Sequence, residues 1–458
     1  MQLRPYQLEI ARAVLDSIDR GLGLTFSVEI ARQGGKNELS AHLEVLLMTM
    51  FMSAGGSAIK CSPTFKPQTV ISMTRLKQRL DDFGFEGIWQ TEMGYIVRLG
   101  AARQVFLSAE ETSSVVGHTA DILLEIDESQ DVSKEKYSKE FRPMASSTNA
   151  TTVHYGTTWD DSTLLEDVKQ TNLELEKSDG VKRHFRYDWQ EVSKYNPGYR
   201  SFVESERARL GDDHPLFLSQ YALLPIRTGG GFLNRSQIGQ LLGNHERLRA
   251  RMDRESVYVA GVDLAGESEI TEDLELTVRG RDATVITIAE VSFRSDMALV
   301  KEPYIKVVEH YCWVGKKHAE VYSTMVDLLR NTWGCSCIAV DATGIGEAVA
   351  SFLGKALGSR IVPFKFSQVS KSALGFNMLA AVNSGRLKLY RADGSGEYKE
   401  LLSQLGRARS IYRPNQTINF FVDPIEGHDD YLISLALCVE AASRLRPRVA
   451  KGSSRSNG

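Results

Sequence analysis

Apolar and polar positions fall in blocks along the chain, and the blocks divide it into two runs of strands and helices. An amphipathic stretch from Pro5 to about Asp19 predicts an opening helix, and the apolar run Leu24–Ile30 predicts a strand behind it. Short continuous apolar runs bounded by turn residues read as buried strands, while a 3.6-residue period reads as helix. On that basis a Gly-Gly loop leads to a helix over Glu38–Met50, and Ser57–Cys61, Gln104–Ser108, Ile122–Ile126 and Thr152–Tyr155 are further strands. Strands spaced by helices imply a parallel sheet covered on both faces. From about Lys169 to Leu223 the chain is more charged and helical, interrupted by Trp189, Tyr195, Tyr199 and Phe202. Arg227-Thr228-Gly229-Gly230-Gly231 then has the composition of a hinge.

The pattern restarts with three strands, Val257–Val262, Thr284–Val291 and Tyr304–Tyr311, in the manner of an antiparallel meander. Helix Ala319–Thr332, strand Cys337–Val340, helix Gly346–Leu357, strand Ile361–Phe366 and helix Ser372–Ser384 follow, and a last helix begins near Asp429. Three strands and then alternating helices and strands is the order of a ribonuclease-H-like fold. The expected fold class is therefore α/β, with an N-terminal P-loop domain on a parallel sheet and a C-terminal ribonuclease-H-like domain on a mixed sheet. The expected boundaries are 1–225 for the first domain, with 169–225 as a helical lid or linker, 226–250 for the hinge and 251–443 for the second domain. The tail 444–458 holds five basic residues, no acids and Ser/Gly filling, so disorder is expected there.

Composition narrows the classes. At 458 residues and 42% apolar content the chain can bury two or three cores. No apolar run approaches the ~20 residues a bilayer requires, and Val45–Met52 lies too far inside to be a signal peptide. Five scattered cysteines without a CxxC pair argue for a reducing cytosol and against a disulfide framework or zinc site. A net charge of −3 means that any DNA-binding surface is a local basic patch.

Two constellations carry chemistry. Ala31-Arg32-Gln33-Gly34-Gly35-Lys36-Asn37 lies between a strand and a helix. A phosphate cradle needs glycines that let backbone N–H groups approach oxygens, a lysine for the β- and γ-phosphates, and a helix N-terminus behind them. The general pattern is broken at Ile30, where a glycine is usual, and at Asn37, where a magnesium-binding Ser/Thr is usual. The run Ile122–Ile126 ends in Asp127-Glu128. In a P-loop enzyme the first such acid holds Mg²⁺ and the second aligns the attacking water. A strand that ends in solvated carboxylates is the plainer alternative for the acids alone.

The second constellation is a set of separated aspartates: Asp263 and Asp341 at strand ends, and Asp429 and Asp430 at the start of the last helix. In a ribonuclease-H-like fold these converge and bind two divalent ions about 4 Å apart, which activate water and stabilise the leaving 3′-oxygen. Oxygen ligands select Mg²⁺ or Mn²⁺ over zinc. Asp429 or Asp430 also suits a helix cap, so either one is the ligand. Asp282 reads as structural, and the acidic insert Gly266–Leu276 as a solvated loop. Lys365, Ser367, Lys371 and Ser372 are candidates for phosphate contact, and Arg407, Arg409 and Arg413 form a second basic run.

Taken together these motifs resemble the large terminase subunit of tailed bacteriophages. Arg32 inside the loop, Asp127-Glu128 followed by Ser129-Gln130, Gly156-Thr157-Thr158 after the next strand, Asp341-Ala342-Thr343-Gly344 and Gly427-His428-Asp429-Asp430-Tyr431 carry the resemblance, which covers the chain to about Ala442. It implies that Arg32 is a cis arginine finger, that Gly156, Thr157 and Thr158 couple nucleotide state to DNA grip, and that Gln7 reads adenine. It also implies an ATPase that drives double-stranded DNA into a procapsid and a nuclease that cuts the concatemer. The implied partners are the portal protein, a small terminase subunit and copies of the chain in a ring, a pentamer, with a monomer in solution compatible. The implied place is the host cytoplasm, transiently at the portal, outside the mature virion and without a membrane. Where many relatives carry Arg-Gly ahead of the acid-bearing strand, this chain reads Val115-Val116-Gly117-His118, leaving Arg75, Arg79, Arg103 or Arg142 as the source of any trans charge. Two other classes fit part of the pattern: a ribonuclease-H-like recombinase or resolvase with a degenerate nucleotide loop, and a non-catalytic capsid-assembly protein.

Overall fold

A computed structural model describes residues 2–446 except 114, 116, 227, 228, 265–282, 294–298, 317, 345 and 414. The acidic insert, Asp282, Val116, the start of the hinge at 227–228 and the tail from 447 lie outside the described residues. The chain divides into two compact units, Met1–Val203 with Pro215–Arg227, and Glu204–His214 with Thr228–Gly458. The helical stretch ahead of the hinge is thus shared between the two units.

In the first unit α1 (Pro5–Asp19) precedes β1 (Thr25–Ile30), α2 (Lys36–Met50), β2 (Gly56–Ser62) and α3 (Val70–Asp82). Then come β3 (Gln90–Glu92), β4 (Ile96–Leu99), β5 (Ala102–Ser108), β6 (Leu123–Ile126), the one-turn α4 (Lys134–Lys136) and β7 (Thr151–Gly156). The unit continues through α5 (Leu164–Asp179), β8 (His184–Tyr187), α6 (Trp189–Ser193), the first part of α7 (Pro197–Leu210) and α8 (Pro215–Gln220). One eight-stranded sheet runs in the order β3-β4-β5-β2-β6-β7-β1-β8. Along that order it is parallel from β5 through β8, with β3 and β4 as an antiparallel edge. All of β6 and β7 is buried, which explains why these strands read as unbroken apolar runs rather than alternating ones. The edge strands β3 and β8, and β4 next to β3, are short and mixed in polarity, and the sequence pattern does not mark them.

The second unit contains β9 (Gly230–Gly231), α9 (Arg235–Leu241), β10 (Val257–Asp263), β11 (Ala283–Ser292) and β12 (Tyr304–Val314). It goes on through α10 (His318–Asp327), β13 (Cys337–Asp341), α11 (Gly346–Leu357), β14 (Ile361–Phe364) and α12 (Gln368–Asn383). The last elements are β15 (Leu387–Lys388), α13 (Gly396–Arg407), β16 (Arg409–Tyr412), β17 (Ile418–Phe421) and α14 (Asp430–Ser443). The main sheet is mixed, in the order β14-β13-β10-β11-β12-β15, and β17, β16 and β9 form a small separate sheet. The meander β10-β11-β12 is antiparallel and β13 lies parallel to β10, as the ribonuclease-H-like order requires. Successive residues of β10 serve opposite faces. Val259 joins the core under α14, whereas Tyr258, Ala260 and Val262 join the core around Trp333.

One residue of β10 fixes how closely α14 approaches. A Cβ at Gly261 would lie 2.1 Å from the Ser434 carbonyl oxygen and 2.2 Å from the Cys438 nitrogen. The Ser434 hydroxyl donates to the Gly261 carbonyl at 3.0 Å across the same contact. No helix among the described residues is long and apolar enough to cross a membrane.

The close approach is open to test. Gly261→Ala forces the helix off the sheet, because the clashing atoms are backbone. It should lower unfolding stability by about 1–3 kcal/mol or more, and a denaturant midpoint equal to that of the parent chain would refute the close-approach account. A second expectation concerns three buried histidines. Burial lowers His154 and His310 from the usual 6.5 to about 3 and His214 to about 4. Unfolded histidines take protons near 6.5 whereas the folded ones do not, so this contribution is fully favourable above 6.5 and is lost as pH falls toward 4. In denaturant titrations at pH 7.5 and 5, His214→Gln should reduce the loss of stability on acidification. An unchanged difference between the two pH values would exclude His214 from it.

Candidate functional site

The sheet order brings three motifs to one edge. The loop 31–37 follows β1, Asp127-Glu128 follows β6 and Gly156-Thr157-Thr158 ends β7. β7 lies between β1 and β6, and all three run parallel, so the three segments emerge side by side at the carboxyl ends of their strands. That edge is where open α/β sheets bind ligands.

The loop has the shape of an anion cradle. Gly35 caps α2 with a φ of 96°, and a Cβ there would lie 2.7 Å from the Gln7 amide nitrogen. A Cβ at Gly34 would meet Ile30 Cγ2 at 2.6 Å and the Ala31 carbonyl oxygen at 2.7 Å. Neither position accepts a side chain, and both lie at the start of a fifteen-residue helix, Gly34 buried and Gly35 half-buried. Gln33 also adopts a left-handed φ of 59°. Lys36 is buried, with its ammonium 3.3 Å from the Ile30 carbonyl oxygen and 3.8 Å from Glu128 Oε1. These residues fit a nucleotide phosphate chain: donors, a helix terminus and one cation converge on the loop.

Contacts that the sequence pattern does not reveal hold the loop in place. The Tyr6 hydroxyl donates to the Gly34 carbonyl at 2.5 Å. Gln7 donates to the Gly35 carbonyl at 2.9 Å and accepts from the Arg4 N–H at 2.8 Å, so both ends of its amide are engaged by backbone. Arg32 is exposed, and its guanidinium donates to the Gln220 side-chain oxygen at 2.7 Å. The Arg32 N–H donates to the Gln220 carbonyl at 2.8 Å, and its own carbonyl accepts from the Tyr199 hydroxyl at 3.0 Å. Such contacts come from segments far apart in the chain, which is why spacing alone does not reveal them.

Beneath the acids lies a buried charged cluster. The Lys60 ammonium is 3.2 Å from Glu44 and donates to the Ser40 hydroxyl at 2.7 Å, and Ser40 donates to Glu125 at 2.7 Å. Burial raises the Asp127 carboxyl above its usual range, opposed by the charge of Lys60. Burial likewise raises Glu125, with Glu44 adding to the effect. A buried oxygen acid held beside Lys60 and Lys36 is a donor of the kind a magnesium ion requires. Glu128 has a left-handed φ of 45°, turning the chain sharply after β6.

The third segment is hydrogen-bonded to both of its neighbours. The Thr158 hydroxyl donates to Glu29 of β1 at 2.8 Å, and the Thr157 N–H donates to the Gln130 side-chain oxygen at 3.2 Å. Ser129 and His154 Nδ1 are 2.9 Å apart, and His154 Nε2 is 3.2 Å from the Tyr137 hydroxyl.

In the second unit the aspartates gather at one end of the mixed sheet. Val262 pairs with Val340 in parallel register, so Asp263 and Asp341 leave adjacent strands together. Asp263 is buried, and Asp341 accepts the Thr343 N–H at 2.8 Å. Burial raises the carboxyls of both Asp341 and Asp429, and Lys371 opposes it at Asp429. Asp429 precedes α14 without making a side-chain cap, while Asp430 accepts the Ala283 N–H at 3.3 Å. The donor chemistry fits Mg²⁺ or Mn²⁺. Even so, among the described residues no three His, Cys, Asp or Glu side chains come together closely enough to hold one ion.

The basic candidates separate. Ser372 is buried and its hydroxyl accepts the Ile418 N–H at 3.0 Å, so it leaves the set of possible DNA contacts. Ser367 caps α12, accepting the Ser370 N–H. Lys365 pairs with Glu347 at 2.8 Å on the surface, and the Lys371 ammonium lies 5.5 Å from the Phe420 ring centroid. Arg407 and Arg409 both reach Glu426. Of the possible trans arginines, Arg79 is tied to Glu38 and Asp82 and Arg103 to Glu92, whereas Arg75 and Arg142 have no ion pair among the described residues.

No family profile and no curated protein matches the sequence. Solved structures do match. The large terminase of a thermophilic bacteriophage aligns over 96% of this chain and 99% of its own, with 11% identity and a TM-score of 0.56. The same protein in complex with ATP-γ-S aligns over the same shares with 11% identity and a TM-score of 0.52. At that identity the likeness speaks to architecture, and on it the chain has the fold of a phage large terminase, a parallel-sheet P-loop unit joined to a ribonuclease-H-like unit.

Proposed function

We propose that this chain is the ATP-driven subunit of a viral DNA-packaging motor and that its second unit is a metal-dependent endonuclease. The observation that carries the first part is the carboxyl edge of the parallel sheet. There a buried loop lysine stands 3.8 Å from the carboxylate that follows the acid-bearing strand. A loop lysine and a paired acid on neighbouring segments are what phosphoryl transfer to water requires.

In this reading Gly34, Gly35 and Lys36 hold the phosphates through backbone N–H groups and one ammonium. Arg32 adds charge at the γ-phosphate, Gln33 lines the loop, and Gln7 orders the loop from behind, where adenine recognition is also assigned by resemblance. Asp127 and Asn37 would hold Mg²⁺, which when bound offsets the charge of the phosphate oxygens. Glu128 orients the hydrolytic water and accepts its hydrogen bond. Gly156, Thr157 and Thr158 carry the change at the nucleotide to the surface that grips double-stranded DNA.

In the second unit Asp263, Asp341 and Asp429 or Asp430 would hold two Mg²⁺ or Mn²⁺ ions, which supply an activated water and a stabilised leaving oxygen. Adjacent strand ends at Asp263 and Asp341 support this assignment, and α14 brings the other two acids to the same end of the sheet. Lys365, Ser367 and Lys371 are the phosphate-positioning candidates that remain. The partners proposed are those the motif resemblance implies: a portal and procapsid, a small terminase subunit, and further copies of the chain in a ring. Action is placed in the host cytoplasm.

Two substitutions test the two halves separately. Glu128→Gln should lower ATP turnover by about a hundredfold or more while leaving ATP-γ-S affinity near that of the parent chain. Phosphate release and ligand titration read these two quantities, and retained turnover would end the ATPase assignment. Asp341→Ala should abolish nicking of supercoiled plasmid in Mn²⁺ and leave ATP turnover intact. If cleavage persists, the metal site lies elsewhere or the nuclease reading is wrong.

A further inference from the structure

Gln130 follows Glu128 by two residues on the turn that leaves β6, and its side chain is buried between two of the three motifs. Its carboxamide oxygen accepts the Thr157 N–H at 3.2 Å. An N–H can only donate, so the orientation of the amide is fixed: its NH₂ end must face the other way. There the nitrogen donates to Glu128 Oε2 at 2.8 Å and to Asp131 Oδ2 at 3.2 Å. One side chain therefore spans from the carboxylate assigned to water activation to the backbone of the 156–158 segment.

The neighbouring glycine is shaped around this bridge. A Cβ at Gly156 would lie 2.2 Å from the Gln130 carboxamide oxygen and 2.5 Å from Leu165 Cδ2. The amide occupies the space that a side chain at 156 would take. Glu128 meanwhile has its other oxygen, Oε1, facing the Lys36 ammonium at 3.8 Å. Its two oxygens are thus divided between the phosphate-loop lysine and the coupling segment, with Gln130 as the link to the second. A second tie between the same strand ends, from Ser129 to His154, keeps the turn after β6 and the end of β7 in register around the bridge.

We infer that Gln130 is a positioning residue: it sets the orientation of Glu128 and makes that orientation depend on where Thr157 stands. The inference rests on the ATPase reading above. When the 156–158 segment shifts, the Thr157 N–H carries the amide oxygen with it, and the NH₂ end moves against Glu128. Response of ATP turnover to DNA passes through this one amide.

The test uses the full chain with ATP, with and without linear duplex DNA. Gln130→Met keeps the length of the side chain and removes both polar ends. It should lower kcat by about tenfold, the size expected from losing one hydrogen bond to a charged group. KM and ATP-γ-S affinity should stay within about twofold, and the melting temperature within about 2 °C. The ratio of DNA-stimulated to unstimulated turnover should fall to one. Gln130→Glu keeps an acceptor for Thr157 but places an oxygen against Glu128, and it should lose the DNA response as Gln130→Met does. Gly156→Ala displaces the same amide, so Gly156→Ala with Gln130→Ala should be no worse than Gly156→Ala alone. Parent-like kcat and DNA response in Gln130→Met would overturn the inference, as would a loss of kcat that tracks a fall in melting temperature. Glu128→Gln in the same assay separates the outcomes. If it retains turnover the ATPase reading itself fails, and if it is inactive while Gln130→Met behaves as the parent chain, only the role of Gln130 fails.

Discussion

The ammonium of Lys60 fixes the distance between the two halves of the proposed nucleotide site. Lys60 sits on β2, directly opposite Glu125 of β6 in the parallel register. Its ion pair with Glu44 and its hydrogen bond to Ser40 reach up to α2, the helix whose first turn carries Lys36 and Asn37. The strand that delivers Asp127-Glu128 and the helix that opens behind the phosphate loop are therefore tied to one buried cation. Burial alone would lower the Lys60 pKa, yet the charges of Glu44, Glu125 and Asp127 raise it overall, so the ammonium stays charged. At Glu125 burial and the nearby Glu44 push the carboxyl up, opposed by the charge of Lys60 and the hydrogen bond from Ser40. An isolated buried charge is very costly and a paired one roughly offsets its desolvation. This cluster therefore contributes geometry more than stability, holding an acid pair near the loop lysine across the width of β7.

The second unit reaches a comparable end by a different physical route. There α14 is set against the sheet by the missing side chain of Gly261, with the helix backbone pressed onto β10. Asp430 lies one turn upstream of Ser434, whose hydroxyl binds Gly261, and Asp263 lies two residues beyond Gly261 on the same strand. The approach of helix to strand thus sets the approach of their acids. Every residue of α14 from Tyr431 to Val439 is buried, so the helix has little freedom to rotate and re-aim its first turn.

Most of the strands and helices that carry the two sites were legible as sequence, and the reason is burial. Strands such as β6 and β7 have no exposed face, so their apolar runs are continuous and bounded. The acids at their ends stand out because they interrupt those runs. Edge strands lack that contrast: β8 reads His-Phe-Arg-Tyr, with only Phe185 buried. Within the sites, spacing pointed to the loop and the acids, but it could not give the contacts that position them. Tyr6, Tyr199 and Gln220 act through hydroxyl or amide groups on elements distant in the chain, and nothing local distinguishes them from surface residues. Ser372 failed in the opposite sense, since a serine beside two lysines looks exposed until the Ile418 N–H is found on its hydroxyl.

The proposed coupling segment illustrates how a short motif gains its meaning from its neighbours. Gly156-Thr157-Thr158 has no charge and little bulk, and its position between β1 and β6 is what gives it reach. Thr158 is bound to Glu29 on the strand that feeds the phosphate loop. Thr157 is bound through Gln130 to the acid that follows the opposite strand. Hydrogen bonds of about 3 Å tolerate displacements of only a few tenths of an ångström before they weaken. A shift of this segment must then be shared with the loop strand, with the acid, or with both. A rigid sheet makes such sharing effective, because fully buried parallel strands do not absorb the displacement themselves. The two flanking hydrogen bonds give such a shift its direction.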